Sequence, residues 1–129
     1  MKTKKKATEK KRMIFGQPSW HFTSSTVEAY VTEQGVHLAP VIFNLKGRKI
    51  QPYAISPWSK EKFDEDIPQI LRVLRGDFLC MPFGGNERPY LREKNPPHGE
   101  MANQKWKFIS TNWQGDRTIR NIKKLRINE

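Results

Sequence analysis

Val27, Ala29 and Val31 alternate with Glu28, Tyr30 and Thr32. A period of two is that of a strand with one buried face. The residues before it, "WHFTSST" from Trp20, are aromatic and β-branched, as strands prefer. After it, Gln34-Gly35 reads as a turn, and "HLAPVIFNL" (37–45) as the next strand, with Pro40 marking an edge or a bulge. "KGRK" (46–49) is a hairpin signal, and "KIQPYAI" (49–55) follows as a further strand. Strands this closely spaced and joined by turns predict an antiparallel all-β sandwich. Order is expected to begin near Ile14.

One helix interrupts the strands, near residues 66–74. Asp66 is placed to cap "IPQILRVL", with Pro68 in the first turn and Ile67, Ile70, Leu71 and Leu74 on one face. Gly76 ends it. "DFLCMPF" (77–83) then reads as a buried strand, which makes the single cysteine, Cys80, a core thiol. From Gly84 to Gln104 the chain is irregular, and a loop of that length in a compact domain is usually functional or disordered. "KWKFISTNW" (105–113) resumes as a strand. The last stretch, 118–129, has Ile122, Leu125 and Ile127 but no closing turn.

The net charge is +11 over 129 residues, but it is segregated. Residues 1–12 hold seven Lys/Arg against one Glu, and residues 105–129 hold seven against two acids. Between them, ten bases balance ten acids. The basic face of a dedicated nucleic-acid fold is therefore missing from the middle, and residues 1–13 read as a solvated, disordered tail. Non-specific nucleic-acid binding through the two basic ends is the alternative function. The hydrophobic share of 36% allows only a thin core. One cysteine rules out a disulfide framework and fits a reducing compartment. No apolar run approaches a membrane span, and no apolar stretch follows the basic start as in a secretory signal. A cytoplasmic protein without membrane contact is expected.

His21, His37, Cys80 and His98 are too scattered for a metal site, and no cofactor is expected. "FGGN" lacks the spacing and the lysine of a phosphate loop. One constellation remains. "LRGDFLCMPFGGN" (74–86) offers Arg75 and Asp77, and "PPHGEMANQKW" (96–106) offers His98, Glu100, Asn103 and Trp106. An arginine fork, amide and carboxylate acceptors and an indole suit a polyhydroxylated ligand such as a sugar. An ordinary surface loop has the same composition, and the residues alone leave both readings open.

At these residues the chain resembles the galactose mutarotase-like superfamily, which includes aldose 1-epimerases and hexose-6-phosphate mutarotases. The hexose-phosphate branch has an Arg-Gly pair opening a strand with Cys and Pro that ends in Phe-Gly. A Pro-His-Gly turn follows, with Asn five and Trp eight residues after the His, as Asn103 and Trp106 stand to His98. The likeness spans roughly residues 14–127. It implies an incomplete β-sandwich, residues 14–129 forming its N-terminal portion. It also implies a sugar ligand held by Arg75 and His98, and interconversion of aldose anomers by a general acid and base in full-length relatives. No residue of this chain matches that catalytic pair. Where the branch has Phe and Arg after His-Gly, this chain has Glu100 and Ala102. Without that arginine a neutral sugar is expected rather than a phosphorylated one. The expected substrate-binding set is Arg75, His98, Glu100 and Asn103. Uncovered strand edges would favour self-association.

Overall fold

The computed structural model describes residues 11–82, 84–114 and 117–124, with side chains as far as Ile109. The fold is mostly antiparallel β. Five strands run in sequence order across one sheet: β1 (Lys11–Ile14), β2 (Gln17–Thr23), β3 (Val27–Thr32), β4 (Leu38–Leu45) and β5 (Arg48–Ile50). Two short helices follow, α1 (Gln69–Val73) and α2 (Gly99–Asn103). A two-stranded sheet of β6 (Trp106–Gln114) and β7 (Arg117–Lys124) ends the described chain.

The meander is built on local turn chemistry. Phe15 (φ 46°) and Gly16 (φ 75°) join β1 to β2, and Lys46 (φ 46°) and Gly47 (φ 81°) join β4 to β5. Two left-handed residues in a two-residue loop give the turn whose twist matches paired strands. Ser24 Oγ closes the β2–β3 turn by accepting from the Val27 N–H at 3.0 Å. At the β3–β4 connection Gly35 and Val36 are left-handed and the Thr32 N–H donates to the His37 carbonyl at 2.9 Å. Pro40 lies opposite the register shift between Ala29 and Val31, where a strand tolerates a missing donor.

Adjacent Ser19 and Trp20 point to opposite faces of β2, and both are buried, so the sheet is covered on both sides there. Trp20 packs toward Phe108 of β6, ring centroids 6.3 Å apart. On the other face His21 stacks on Tyr30 at 4.6 Å, and Glu28 accepts from both, at 2.9 and 2.5 Å. The Tyr30 hydrogen bond is the main cause holding the Glu28 carboxyl below its usual pKa, and burial raises the Tyr30 hydroxyl.

Several expectations need correction. The strand start near Ile14 lies three residues late, because Lys11–Ile14 pairs with Gln17–Trp20. The strand expected at 49–55 stops at Ile50, before Pro52. The expected helix is reduced to Gln69–Val73, its first turn preceded by Pro68, and Asp66 makes no cap. Its buried residues are Ile70 and Val73, whereas Leu71 is exposed. The buried strand expected at 77–83 is absent among the described residues. Asp77 bridges Leu38, but no strand lies beside the residues after it. Leu79 and Met81 are consequently exposed, and so is Cys80, which is not a core thiol. Part of the irregular 84–104 stretch is helix α2. Residues 1–10, which hold most of the expected tail, lie outside the described residues. Among the described residues no helix is long and apolar enough to cross a membrane.

Candidate functional site

The segments around Met81–Asn86 and Asn95–Met101 are clasped by backbone hydrogen bonds. His98 N–H donates to the Gly84 carbonyl at 2.8 Å, Met101 N–H to Met81 at 3.4 Å, and Asn86 N–H to Asn95 at 3.5 Å. The clasp needs the glycine of "PHGE". His98 (φ 62°) and Gly99 (φ 78°) are both left-handed, turning the chain from the proline pair into α2. A Cβ on Gly99 would fall on the Met81 carbonyl, so only glycine fits.

Two open hollows flank the clasp. One of about 800 Å³ is lined by Gly84–Glu87 and Lys94–Pro97. The other, of about 600 Å³, is lined by Pro82, Arg92–Asn95 and Glu100. Lys94 and Asn95 are common to both. The walls therefore carry Arg92 and Lys94 against Glu87, Glu93 and Glu100, with no cationic excess.

The four residues expected to hold a ligand have different fates. Glu100 lines the smaller hollow. His98 lines neither hollow: it follows Pro97, a wall residue of the larger one, and its exposed imidazole sits edge-on to Phe78 at 5.3 Å. Asn103 is turned inward. Its Oδ1 accepts from the Ile70 N–H at 3.0 Å, and its Nδ2 donates to the carbonyls of Pro97 and Gly99 at 2.7 and 2.8 Å. It thus caps α1 from a distance, the task Asp66 was expected to perform, and ties α1 to the clasp. Arg75 is 2% exposed. Its guanidinium donates to the carbonyls of Ile14 and Phe15, both at 2.9 Å, and to Val73 at 3.0 Å, locking the β1–β2 turn. Burial pulls its pKa down to about 10, which leaves it charged at neutral pH. The structure brings Glu100 to the smaller hollow, leaves His98 exposed beside the clasp, and commits Arg75 and Asn103 to the frame. Trp106 belongs with the frame: it is buried, and its Nε1–H donates to the Met101 carbonyl at 3.1 Å.

His37 connects the clasp to the meander. It is fully buried, its ring stacks on Phe78 at 4.7 Å, and Phe78 in turn meets His98. Nδ1 lies 3.2 Å from the Arg75 carbonyl oxygen and 3.4 Å from the Arg75 N–H, and Nε2 closes no hydrogen bond. Burial lowers the His37 pKa to about 4, so the ring is neutral at pH 7.

Sequence reasoning missed Asn86, Glu87, Arg92, Glu93, Lys94 and Asn95 as wall residues. The available signal was the length of the irregular loop, which carried no pattern to single out individual side chains. A third hollow, of about 380 Å³, lies between the β1–β2 turn and α1. Its Glu33 is already paired with Lys11 at 2.7 Å and Lys105 at 3.8 Å. Among the described residues no three His, Cys, Asp or Glu side chains gather as metal ligands would. No protein-family model matches the chain, and neither a curated protein nor a solved structure does.

Proposed function

We propose that the chain binds a neutral aldose at the clasp, as the sugar-holding portion of an aldose 1-epimerase-like β-sandwich. The observation that carries this reading is the clasp itself. The two segments whose sequence resembles mutarotases fold against each other, and their union borders two open hollows, the smaller of them mainly polar. The balanced wall charge favours hydroxyl groups over a phosphate, which would call for a cationic excess. His98 and Glu100 supply a ring nitrogen and carboxylate oxygens for sugar hydroxyls, while Arg75, Asn103 and Trp106 hold the backbone that presents them. Each such hydrogen bond contributes about 0.5–1.5 kcal/mol net, so open hollows predict millimolar or weaker affinity.

Saturation-transfer NMR with D-glucose and D-galactose tests the proposal. Transfer to at least one sugar is expected, weakened in both His98→Ala and Glu100→Gln. No transfer to either sugar would overturn it. Polarimetry of fresh α-D-glucose should show mutarotation at the buffer rate, since no residue here is assigned as the catalytic acid or base. Acceleration lost in His98→Ala would replace the binding proposal with a catalytic one.

A further inference from the structure

The charge that the sequence sets at its two ends is brought together by the fold. Lys11, at the start of β1, and Lys105, just before β6, share one carboxylate: their Nζ atoms lie 2.7 and 3.8 Å from Glu33 Oε1. The Trp106 N–H donates to the Glu33 carbonyl at 2.9 Å, which fixes the start of β6 there. Phe108 then packs toward Trp20, the residue opposite Lys11 in the β1–β2 register. β6 thus begins beside the β1 edge of the five-stranded sheet, whereas β5 forms the other edge. Residues 1–10, with five lysines and one glutamate, precede Lys11 in the chain.

The ribbon that starts there carries no acid in its strands. "WKFISTNWQ" and "RTIRNIKK" hold Lys107, Arg117, Arg120, Lys123 and Lys124, and no Asp or Glu. The register sets Lys107 directly opposite Lys123. Like charges in that relation destabilise a two-stranded ribbon. Lys107 is exposed, whereas Trp106 is buried and Phe108 lies half-buried against Trp20. These two aromatic rings are committed to the protein and are not free to enter a bilayer, as an element lying on a membrane surface requires. What the ribbon offers to the outside is positive charge without a local counter-charge.

We infer that the β6–β7 ribbon and the adjoining start of β1 form a docking surface for duplex DNA, held through its phosphates and indifferent to base sequence. Two strands about 4.8 Å apart fit a major groove about 12 Å wide. The nine residues of β6 extend roughly 30 Å, along which a duplex presents one negative charge per ~1.7 Å. Phosphates then supply the counter-charge that the Lys107–Lys123 pair lacks. Neither hollow beside the clasp is lined by a residue of β1, β6 or β7, so the inference does not rest on the sugar reading.

Fluorescence anisotropy of the full chain with a labelled DNA duplex of arbitrary sequence tests this. Affinity should fall steeply between about 50 and 200 mM salt, because binding rests on counterion release. Lys107→Gln combined with Lys123→Gln should make the slope of log affinity against log salt shallower by about 1.8, two contacts of about 0.9 each. Arg48→Gln combined with Lys49→Gln removes the same charge from β5, at the opposite edge, and should leave the slope unchanged. Lys107→Glu separates docking from folding. Set opposite Lys123, the carboxylate should keep the thermal midpoint at or above the parent's while weakening DNA binding. A slope unaltered by the ribbon variants would overturn the inference. Equal weakening by the β5 variants would also do so, because net charge alone would then attract the DNA. So would tighter binding of a single strand than of the duplex, or displacement of the duplex by phosphatidylglycerol vesicles at equal phosphate.

Discussion

The meander of residues 11–50 and the excursion of residues 51–103 are held together by different bonds. In the meander, backbone pairs with backbone: four consecutive antiparallel ladders satisfy the chain, and side chains select a face. In the excursion, with two helices of five residues each, the backbone relies on individual side chains. Arg72 donates to the carbonyls of Ile67 and Glu65, Trp58 to Leu71, and Asn103 and Asn86 bind three backbone groups each. A ladder spreads its stabilisation over many bonds, whereas a side-chain clamp concentrates it. The two hollows beside the clasp lie in the clamped region, whereas the third is shared between the meander and α1.

The sharpest test of this contrast is a pair of glycines. Gly76, in the excursion, has φ 47°, and a Cβ there would fall on the Leu38 carbonyl. Gly47, in the meander, has φ 81° with nothing within 4 Å of a Cβ. Both substitutions to alanine incur the left-handed penalty of about 1–2 kcal/mol. Only Gly76→Ala must also move backbone, and it should lose about 4 kcal/mol or more, enough to unfold a marginal domain. Urea midpoints for the two variants decide it. Equal midpoints would show that the excursion yields as easily as a hairpin tip.

Acid should strike the excursion through His37, which joins it to the meander. The folded pKa, about 4, lies below the unfolded value of 6.5, so the unfolded chain takes up the proton first. This contribution is fully present above pH 6.5 and is lost as pH falls from 6.5 toward 4. At about 1.4 kcal/mol per pKa unit, it amounts to roughly 3 kcal/mol. Glu28, whose pKa is lowered in the fold, adds a loss at lower pH, below the unfolded carboxylate value. Denaturation curves of the parent and His37→Gln from pH 7 to 4 separate the two. The slope between pH 6.5 and 4.5 should flatten in the variant.

The same contrast governs what could be read from sequence. Alternation at Val27–Thr32 and the Lys46-Gly47 turn were legible because ladders follow a period and turns follow residue type. The cap on α1 was not legible, because the acceptor, Asn103 Oδ1, lies 33 residues from the Ile70 N–H it serves. Asp66 carried the local signal, yet Asn103 makes the bond. A guanidinium suits a hydroxyl, which makes Arg75 a candidate ligand residue, and nothing nearby in sequence shows that two turn carbonyls some 60 residues earlier claim it. Cys80 misled in the opposite direction: an apolar run says "buried" only if a neighbouring strand is there to cover it.

Asn103 and Ser24 provide the finest comparison, because each side chain makes three hydrogen bonds to backbone. Ser24 Oγ donates to the Val27 carbonyl at 3.4 Å and accepts from the Thr26 and Val27 N–H groups at 3.3 and 3.0 Å. Those groups lie in an exposed turn, so water can replace the hydroxyl in Ser24→Ala. The register from Ser19 to Thr23 is meanwhile fixed by its own ladder. The expected loss is about 0.5–1 kcal/mol. Asn103→Ala removes bonds that are shorter, at 3.0, 2.7 and 2.8 Å, and that join parts of the chain no ladder connects. About 2–3 kcal/mol is expected there. Hydrogen exchange gives the residue-level readout. In Asn103→Ala the Ile70 amide should lose protection together with those of His98 and Gly99, while the β2–β3 amides keep theirs. In Ser24→Ala only the Thr26 and Val27 amides should speed up. If Asn103→Ala were as mild as Ser24→Ala, with Ile70 still protected, the excursion would have a second means of holding α1 to the clasp, and the contrast between ladder and clamp would fail.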